Sequence, residues 1–281
     1  MKILVTGAGG QVGNALTDLG PEQGHEIAAL DRANLDIIEC KKVLAAVTEC
    51  MPDVVINAAA YTAVDRAEAA SETAFAINGK GPENLALACE ALKIPLLHIS
   101  TDFVFDGQKS GAYVETDEIA PLSVYGASKA DGEKRILAIG GKNIILRTAW
   151  VFGGEQNFVT TMLRLGASRD ELSIVDDQMG GPTSCDDIAG TLLTIAEKVV
   201  APEFDDWGIY HYCGAPSVSW YEFAAAIFEG QNSPILHPIP TSDYPTPATR
   251  PKNSVLDCTK ITQVFGIDQP DWRPALSKVL N

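Results

Sequence analysis

The chain of 281 residues has few cysteines, and none of them stands in a metal-binding or redox motif. They are scattered singly, without a Cys-x-x-Cys pair or a histidine at a spacing suited to zinc. The six are Cys40, Cys50, Cys89, Cys185, Cys213 and Cys258. We therefore expect reduced thiols, a cytoplasmic location and no metal site.

Long apolar runs and positive charge are also scarce. No uncharged apolar run approaches the roughly 20 residues of a membrane-spanning helix, and the N-terminus enters a strand and a glycine turn without the pattern of a signal peptide. Lysine and arginine number 21 against 37 acidic residues, a formal net charge of -16, and they form no basic stripe. We expect no membrane or nucleic-acid partner, although backbone amides and one or two arginines can still hold a small anion.

The first half of the chain alternates short apolar runs with helical stretches, which is typical of βαβ units. The predicted strands are 2–6, 26–30, 53–57, 95–100 and 143–147, and each is too continuously apolar to face water on one side. The predicted helices are 11–19, 39–50, 71–92 and 125–139. This order predicts an α/β fold, a Rossmann-type doubly wound parallel sheet that binds ligands at the carboxyl ends of its strands.

The alternation loosens after residue 150. Helices are predicted at 157–167, 186–199 and 220–229, strands at 172–175 and 208–213, and a proline-rich loop at 234–251. We interpret residues 1–150 as a dinucleotide-binding Rossmann domain and residues 151–281 as a smaller α/β substrate-binding lobe. Some later segments, roughly 180–200, are expected to return to the first domain.

A glycine-rich segment, Gly7-Ala8-Gly9-Gly10-Gln11-Val12-Gly13, follows the first predicted strand and opens the first helix. This is the context that a dinucleotide fingerprint requires. Gly7 permits a tight turn, Gly10 lets the backbone approach a pyrophosphate, and Gly13 lets helix and strand pack closely. The amides near Gln11 and Val12 would face the phosphates at the positive end of the helix dipole.

Two charged residues end the second predicted strand and leave the cofactor preference open. Asp31 stands where a carboxylate accepts hydrogen bonds from the adenosine ribose, which favours NADH, or it is simply a solvated strand-end carboxylate. Arg32 is suited to the 2'-phosphate of NADPH. After the third strand, the small side chains of Ala58, Ala59 and Ala60 leave room for a ring or a ribose, or serve tight packing alone.

Tyr125 is the only tyrosine with a lysine four residues downstream, Lys129. On a helix both side chains lie on one face and can enter one cleft, although the same pattern fits a surface pair. A phenol with a pKa of about 10 is a poor proton donor at neutral pH. An ammonium about 4 Å from the phenolate contributes roughly 4 kcal/mol at an effective dielectric of ~20, so we expect Lys129 to lower the pKa of Tyr125.

Several motifs together resemble the dTDP-4-dehydrorhamnose reductases of the extended short-chain dehydrogenase/reductase superfamily. The likeness runs in order along most of the chain, from Met1 to Pro251. Besides the glycine spacing it rests on four segments: Asn57-Ala58-Ala59-Ala60-Tyr61-Thr62-Ala63-Val64-Asp65, Ser100-Thr101-Asp102-Phe103-Val104-Phe105-Asp106-Gly107, Tyr125-Gly126-Ala127-Ser128-Lys129 and Arg147-Thr148-Ala149-Trp150-Val151-Phe152-Gly153.

The resemblance implies NADPH- or NADH-dependent reduction of the C4 keto group of a nucleotide-linked 6-deoxy sugar, most simply dTDP-4-dehydro-L-rhamnose to dTDP-L-rhamnose. It implies that Tyr125 donates the proton to O4, that Lys129 holds the nicotinamide ribose, and that Thr101 hydrogen-bonds the reacting carbonyl. Hydride addition builds negative charge on one oxygen, where two convergent donors are useful.

The resemblance also implies contacts to the two ligands. For the cofactor these are Asp36 and Ile37, which flank the adenine, and the segment Ala59 to Tyr61. For the substrate they are Val64, Thr101, Asp102, Trp150 and Arg250. Arg250 would approach the diphosphate, unless it is an ordinary surface arginine in a proline-rich loop.

One departure concerns the glutamates through which some family members bind Mg²⁺ between subunits. The first position matches Ala15 here, another matches Asp186, and the chain ends at Asn281 before the last. We therefore expect a monomer or a weak homodimer without a magnesium link.

Two other functions stay open from the sequence. A nucleotide-sugar epimerase or 4,6-dehydratase shares the superfamily, but a dehydratase places an Asp-Glu pair after the threonine, whereas Phe103 follows Asp102 here. A non-catalytic NADP-binding regulatory subunit resembling that of methionine adenosyltransferase has the same fold. Intact Thr101, Tyr125 and Lys129 argue against a purely scaffolding role.

Overall fold

The structure is a computed structural model, and it describes residues 1–230 and 234–280. Asn281, used in the magnesium comparison, lies outside that range. The strands are β1 Lys2–Thr6, β2 Glu26–Leu30, β3 Val54–Asn57, β4 Leu96–Thr101, β5 Asn143–Thr148, β6 Val151–Phe152, β7 Glu171–Val175, β8 Met179–Gly180, β9 Thr183–Ser184, β10 Gly208–His211, β11 Val218–Ser219 and β12 Ile235–Ile239.

The α-helices follow the same chain order, with a π-helical turn at Ala76–Lys80 and 3₁₀ turns at Asp102–Val104 and Thr241–Asp243. They are α1 Gln11–Glu22, α2 Cys40–Cys50, α3 Val64–Ala67, α4 Ser71–Phe75, α5 Gly81–Leu92, α6 Val124–Ile139, α7 Phe158–Gly166, α8 Cys185–Val199, α9 Trp220–Ile227, α10 Thr259–Phe265 and α11 Trp272–Leu280.

The central sheet has six parallel strands in the order β10-β5-β4-β3-β1-β2. This confirms the predicted doubly wound α/β fold. The chain moves from β1 outward to β2 and then returns to the other side at β3. Such a reversal of strand order leaves a crevice at the carboxyl ends of the strands, which is where sheets of this kind bind ligands.

Two apolar clusters cover the two faces of the sheet. One includes Leu16 of α1 and Leu192 of α8, and the other includes Val43 of α2 and Leu85 of α5. Thus α8 packs with α1 on the sheet, and β10 extends the sheet beside β5, although both come late in the chain. A third cluster, containing Phe223, lies among α7, α9, α11 and β7.

Three predictions of local structure need correction. The loop predicted at 234–251 contains β12, which pairs in parallel with β7 in a two-stranded sheet despite Pro238. Proline is tolerated in an edge strand because its missing N–H is not needed there. The helix predicted at 71–92 is interrupted by the π-helical turn, and β2 is partly exposed because it lies at the sheet edge.

Within the described ranges, no helix combines the length and the apolar character that crossing a membrane demands.

Candidate active site

A cavity of about 880 Å³ opens at the carboxyl ends of the central strands. Every residue that the sequence assigned to cofactor, substrate or catalysis lines it. These are Gly7, Gly10, Gln11, Val12, Asp31, Arg32, Asp36, Ile37, Ala58, Ala59, Ala60, Tyr61, Val64, Thr101, Asp102, Tyr125, Lys129, Trp150 and Arg250. The structure brings these positions together.

The glycine turn is shaped by close approaches of the backbone. Gly7 has φ +75°, and a Cβ there would lie 2.4 Å from the Ala59 nitrogen. A Cβ on Gly13 would lie 2.2 Å from the Gly7 carbonyl oxygen. Both glycines are therefore required by space, as the fingerprint predicts.

The start of α1 has no side-chain cap, since its N-cap residue is Gly10. The first N–H groups of the helix are thus left for a partner at the cavity wall. Among the described residues, Gln11 Oε1 and Thr148 Oγ1 are buried without a hydrogen-bond partner, and both residues line the cavity. A glycine cradle, uncapped amides and unpaired polar atoms together fit a phosphate-bearing dinucleotide.

Asp31 and Ile37 mark the end of the cavity expected to take the adenosine. Asp31 Oδ1 accepts hydrogen bonds from the amide nitrogen and the Nδ2 of Asn34, at 3.0 and 2.7 Å. Asn84 Nδ2 donates to the Ile37 carbonyl at 2.9 Å, which fixes the segment that carries Asp36 and Ile37. The loop after β2 is thereby held in shape and tied to α5.

Tyr125 reaches the end of β4 because α6 approaches that strand very closely. A Cβ on Gly126 would lie 2.2 Å from the Phe103 carbonyl oxygen, so only glycine fits after the tyrosine. The rings of Phe103 and Tyr125 meet edge to face with centroids 5.6 Å apart. Thr101 ends β4 close to Tyr125, where its hydroxyl acts to lower the pKa of the phenol. The two hydroxyls expected to act on one carbonyl therefore lie side by side.

The pKa of Tyr125 moves in the opposite direction from the expected one. Burial raises it to about 12, and the Asp102 charge adds to the rise, while the Thr101 hydrogen bond partly opposes both. Lys129 Nζ is turned away, donating to the Ile99 carbonyl at 2.6 Å. Burial also lowers the pKa of Lys129 to about 8, against the favourable charge of Glu133. Desolvation here outweighs the attraction on which the prediction relied.

Asp102 is a buried carboxyl group next to Thr101. Its side chain Oδ1 accepts a hydrogen bond from Thr101 Oγ1 at 2.9 Å, and its Oδ2 is buried without a partner among the described residues. Burial raises the pKa of Asp102 to about 6, although hydrogen bonds from Ser254 and Thr101 lower it. The carboxyl group thus changes charge close to neutral pH.

Three aromatic side chains form a wall of the cavity, and of these the sequence predicted Trp150 but not Phe158 or Trp220. The indoles of Trp150 and Trp220 stack with centroids 3.4 Å apart and planes 3° from parallel, and Phe158 packs on Trp220 at 4.6 Å. Trp150 has φ +45°, an uncommon conformation for a large side chain, which is often found at functional sites. The sequence offered one weak signal, a Ser219 N-cap that fixes where Trp220 begins α9.

Arg250 lines the cavity, but its guanidinium is already engaged. NH1 and NH2 donate to the two carboxylate oxygens of Asp65 at 3.1 and 2.8 Å, and NH1 also reaches Thr246. The Arg250 pair lowers the pKa of Asp65. A diphosphate contact by Arg250 would therefore have to share the guanidinium with Asp65.

The described part of the chain contains no group of three or more His, Cys, Asp or Glu side chains that could hold a metal ion.

Comparison with known proteins gives a consistent result. The family model described as RmlD substrate binding domain matches residues 1–281. A dTDP-4-dehydrorhamnose reductase of Aggregatibacter actinomycetemcomitans is 50% identical, over 99% of this chain and 98% of its own length.

Solved structures agree over the same span. A dTDP-4-dehydrorhamnose reductase from Clostridium acetobutylicum is 38% identical with a TM-score of 0.94, covering 100% of this chain and 98% of its own. The Bacillus anthracis dTDP-4-dehydrorhamnose reductase, solved in complex with NADP, is 34% identical with a TM-score of 0.93, covering 99% and 98%. The likeness therefore spans both the sheet and the later half of the chain.

Proposed function

The chain belongs to the RmlD substrate binding domain family, and from that premise we propose that it is an NADPH- or NADH-dependent oxidoreductase. Its reaction is reduction of the C4 keto group of dTDP-4-dehydro-L-rhamnose to give dTDP-L-rhamnose. The observation that carries this proposal is the convergence of Thr101, Tyr125 and Lys129 in the cavity that also contains the glycine turn.

The proton and the charge of the reaction can be assigned to residues of this chain. Reduced nicotinamide, when bound, supplies the hydride. Tyr125 supplies the proton to the sugar O4, since its raised pKa keeps it a phenol until negative charge develops on that oxygen. Thr101 sits beside it as a second hydroxyl, so both donors act where charge appears.

The cofactor is proposed to lie along the cavity from the glycine turn to α6. The N–H groups of Gln11 and Val12 take the diphosphate, and Asp31 or Arg32 takes the adenosine ribose or its 2'-phosphate. Lys129 faces the nicotinamide ribose. Asp36 and Ile37 flank the adenine, and the segment from Ala58 to Tyr61 forms a wall of the cofactor site.

The substrate is proposed to lie between Thr101 and the aromatic wall. The stacked indoles offer a flat apolar face suited to a 6-deoxy sugar, whose C6 methyl group carries no hydroxyl. Val64, Asp102 and Trp150 contact the sugar, and Arg250 contacts the diphosphate. We assign residues 1–150 to the cofactor-binding domain, which also supplies Val64, Asp102 and Trp150 to the sugar, and residues 151–281 to the substrate-binding lobe, which supplies Trp220 and Arg250. Helix α8 and strand β10 of the later half pack on the first domain.

We also propose that the protein works in the cytoplasm as a monomer or weak homodimer without a magnesium link. The six cysteines are all free thiols, four of them buried, which suits a reducing compartment.

The test is a matrix of cofactors and substrates. Loss of reduced-nicotinamide absorbance is followed with NADH and NADPH against dTDP-, UDP- and GDP-linked 4-keto-6-deoxy sugars. The proposal expects stoichiometric oxidation with the dTDP sugar and dTDP-rhamnose as the product. Product formation without net oxidation would instead indicate an epimerase, and binding of NADP without turnover of any sugar would indicate a regulatory subunit.

A further inference from the structure

A chain of buried polar groups runs beneath the site from β1 to Lys129. Asn57 Oδ1 accepts hydrogen bonds from Thr6 Oγ1 at 2.8 Å and from the Ala59 amide nitrogen at 3.0 Å. Asn57 Nδ2 lies 2.8 Å from His98 Nδ1, and His98 Nε2 lies 3.3 Å from Lys129 Nζ. His98 is fully buried, and Lys129 is 2% exposed.

The direction of these hydrogen bonds follows from one backbone group. The Ala59 N–H can only donate, so the Asn57 atom facing it must be the carbonyl oxygen. The Asn57 amide group, which has two hydrogens and no lone pair to offer, then faces His98. His98 Nδ1 must accept, and a neutral histidine with an accepting Nδ1 carries its proton on Nε2.

His98 is held neutral in this position. Burial and the nearby Lys129 charge both lower the pKa of His98 well below its ordinary value. The Nε2–H therefore points at Lys129 Nζ. An ammonium has three hydrogens and no lone pair, so it meets this N–H as a repulsive contact. A neutral amine accepts from Nε2–H and still donates to Ile99, which satisfies every group.

We propose that Asn57 and His98 set the protonation of Lys129. Asn57 fixes His98 as the Nε2–H tautomer, and His98 then turns an N–H toward the lysine where a lone pair would have stabilised the ammonium. His98 is thus a positioning residue that acts through Lys129.

The other charged groups around Lys129 do not remove this effect. On its own helix, Glu133 favours the ammonium, but both Glu133 oxygens are held by Arg147 of β5, and Ser100 of β4 donates to one of them. Tyr125 is a neutral phenol, and the Asp102 carboxyl group is hydrogen-bonded to Thr101 and does not shift the pKa of Lys129. The lowered pKa of Lys129 agrees with the geometry.

The consequence for the reaction concerns Tyr125. A weakly held lysine charge gives little support to a phenolate, so Tyr125 keeps its proton until the sugar oxygen takes it. This matches the raised pKa of Tyr125 and suits a residue that donates a proton in reduction.

The tautomer can be read directly in the free protein. Long-range ¹⁵N–¹H correlation spectra of protein with ¹⁵N-labelled histidine distinguish the two neutral tautomers, and His98→Asn identifies the His98 signals by their loss. The proposal expects the Nε2–H tautomer, in a ring that the lowered pKa of His98 keeps neutral at neutral pH. The Nδ1–H tautomer would overturn it.

A second measurement follows the pH profile of kcat/KM, whose alkaline limb we assign to loss of the Lys129 proton in the free enzyme, because the pKa of Lys129 is about 8 and that of Tyr125 about 12. His98→Asn keeps an acceptor for Asn57 and removes the N–H facing Lys129, whereas His98→Gln can place an amide oxygen there. The proposal expects the alkaline limb to move up by about one pH unit in both variants. The exposed His237→Asn is the matched control and leaves the limb in place.

If His98 has a structural role only, the two variants lose stability or kcat while the alkaline limb of kcat/KM stays in place. That result would overturn the proposal. The pH profile rests on the proposed reductase function, while the tautomer does not. Failure of the proposed function therefore leaves no turnover to profile, whereas failure of this inference shows as the wrong tautomer in a folded protein.

Discussion

Glu133 and Arg147 form a bidentate ion pair that is almost fully removed from water. Arg147 Nε and NH2 donate to Glu133 Oε1 and Oε2 at 2.9 and 2.7 Å, and each side chain is 2% exposed. The pair joins β5 to α6, the helix that carries Tyr125 and Lys129. Its integrity therefore fixes the position of α6 on the sheet.

Removing one partner should leave a buried charge without compensation. We predict that Glu133→Gln lowers the free energy of unfolding by about 3–5 kcal/mol, because the Arg147 guanidinium stays buried. Urea denaturation at neutral pH measures the loss.

Glu83→Gln is the matched control for that change. Glu83 pairs with Lys80 and Arg135 at a more exposed position, so we expect a loss of at most about 1 kcal/mol. Losses of equal size in the two variants would contradict the importance given to the buried pair.

The bare backbone of Gly180 supports the Trp150 indole. A Cβ at Gly180 would lie 2.3 Å from Trp150 Cε2, so Gly180→Ala must displace the ring from the cavity wall. We predict that KM for the sugar nucleotide rises about tenfold or more, since small displacements of positioning groups are costly. Steady-state kinetics with saturating cofactor measure the effect.

Gly190→Ala supplies the comparison, because a Cβ there meets nothing within 4 Å. Within α8 this change should leave KM unaltered and raise stability by roughly 0.5–1 kcal/mol. An unchanged KM in Gly180→Ala would show that Trp150 does not shape the sugar site.

Asp102 should make stability depend on pH. Its folded-state pKa is raised to about 6 from an ordinary value of 3.8, so the folded protein binds more protons than the unfolded chain between those values. Stability from this group is thus present at low pH and is lost as pH rises from about 4 to about 6.

Asp102→Asn removes that titration and keeps an oxygen for the Thr101 hydrogen bond. We predict that the variant is more stable than the natural protein by a few kcal/mol at pH 7 and that the difference disappears near pH 4. Urea denaturation across this pH range tests it. A variant that is less stable by the same amount at every pH would contradict the buried charge at Asp102.

Asp31 and Arg32 should separate the two cofactors. Arg32→Ala is expected to weaken NADPH binding about tenfold by loss of a charge-assisted phosphate contact, with little effect on NADH. Asp31→Ala is expected to weaken the binding of NADH. Fluorescence titration gives the dissociation constants of both cofactors for each variant. If a variant weakens NADH and NADPH equally, the replaced residue does not distinguish the ribose from its 2'-phosphate.

The strands and the site positions could be predicted because their signals are local. Continuous apolar runs identified the five strands of the first half, and the spacing from Gly7 to Gly13 identified the turn. The sequence does not show the distances between buried side-chain groups such as those of Tyr125 and Lys129. The expectation for the pKa of Tyr125 failed because Lys129 bonds to Ile99, a contact set by the packing of α6 on β4.

The later half was harder to predict for a related reason. Its strands β6, β8, β9 and β11 have two residues each, too few for a periodic signal, and β12 contains Pro238. The partnership of Trp150 with Trp220 joins residues 70 positions apart by the numbering. Only the tertiary fold brings these two indoles together.

Replacing Tyr125 with phenylalanine tests the central claim most directly, since it removes one proton donor and keeps the ring that packs on Phe103. The exposed Tyr244→Phe is the matched control. We predict that Tyr125→Phe lowers kcat for 4-keto sugar reduction by about 10²–10⁴-fold, with cofactor dissociation constants unchanged within a few fold. Turnover equal to that of the control would contradict the role of Tyr125 as the proton donor.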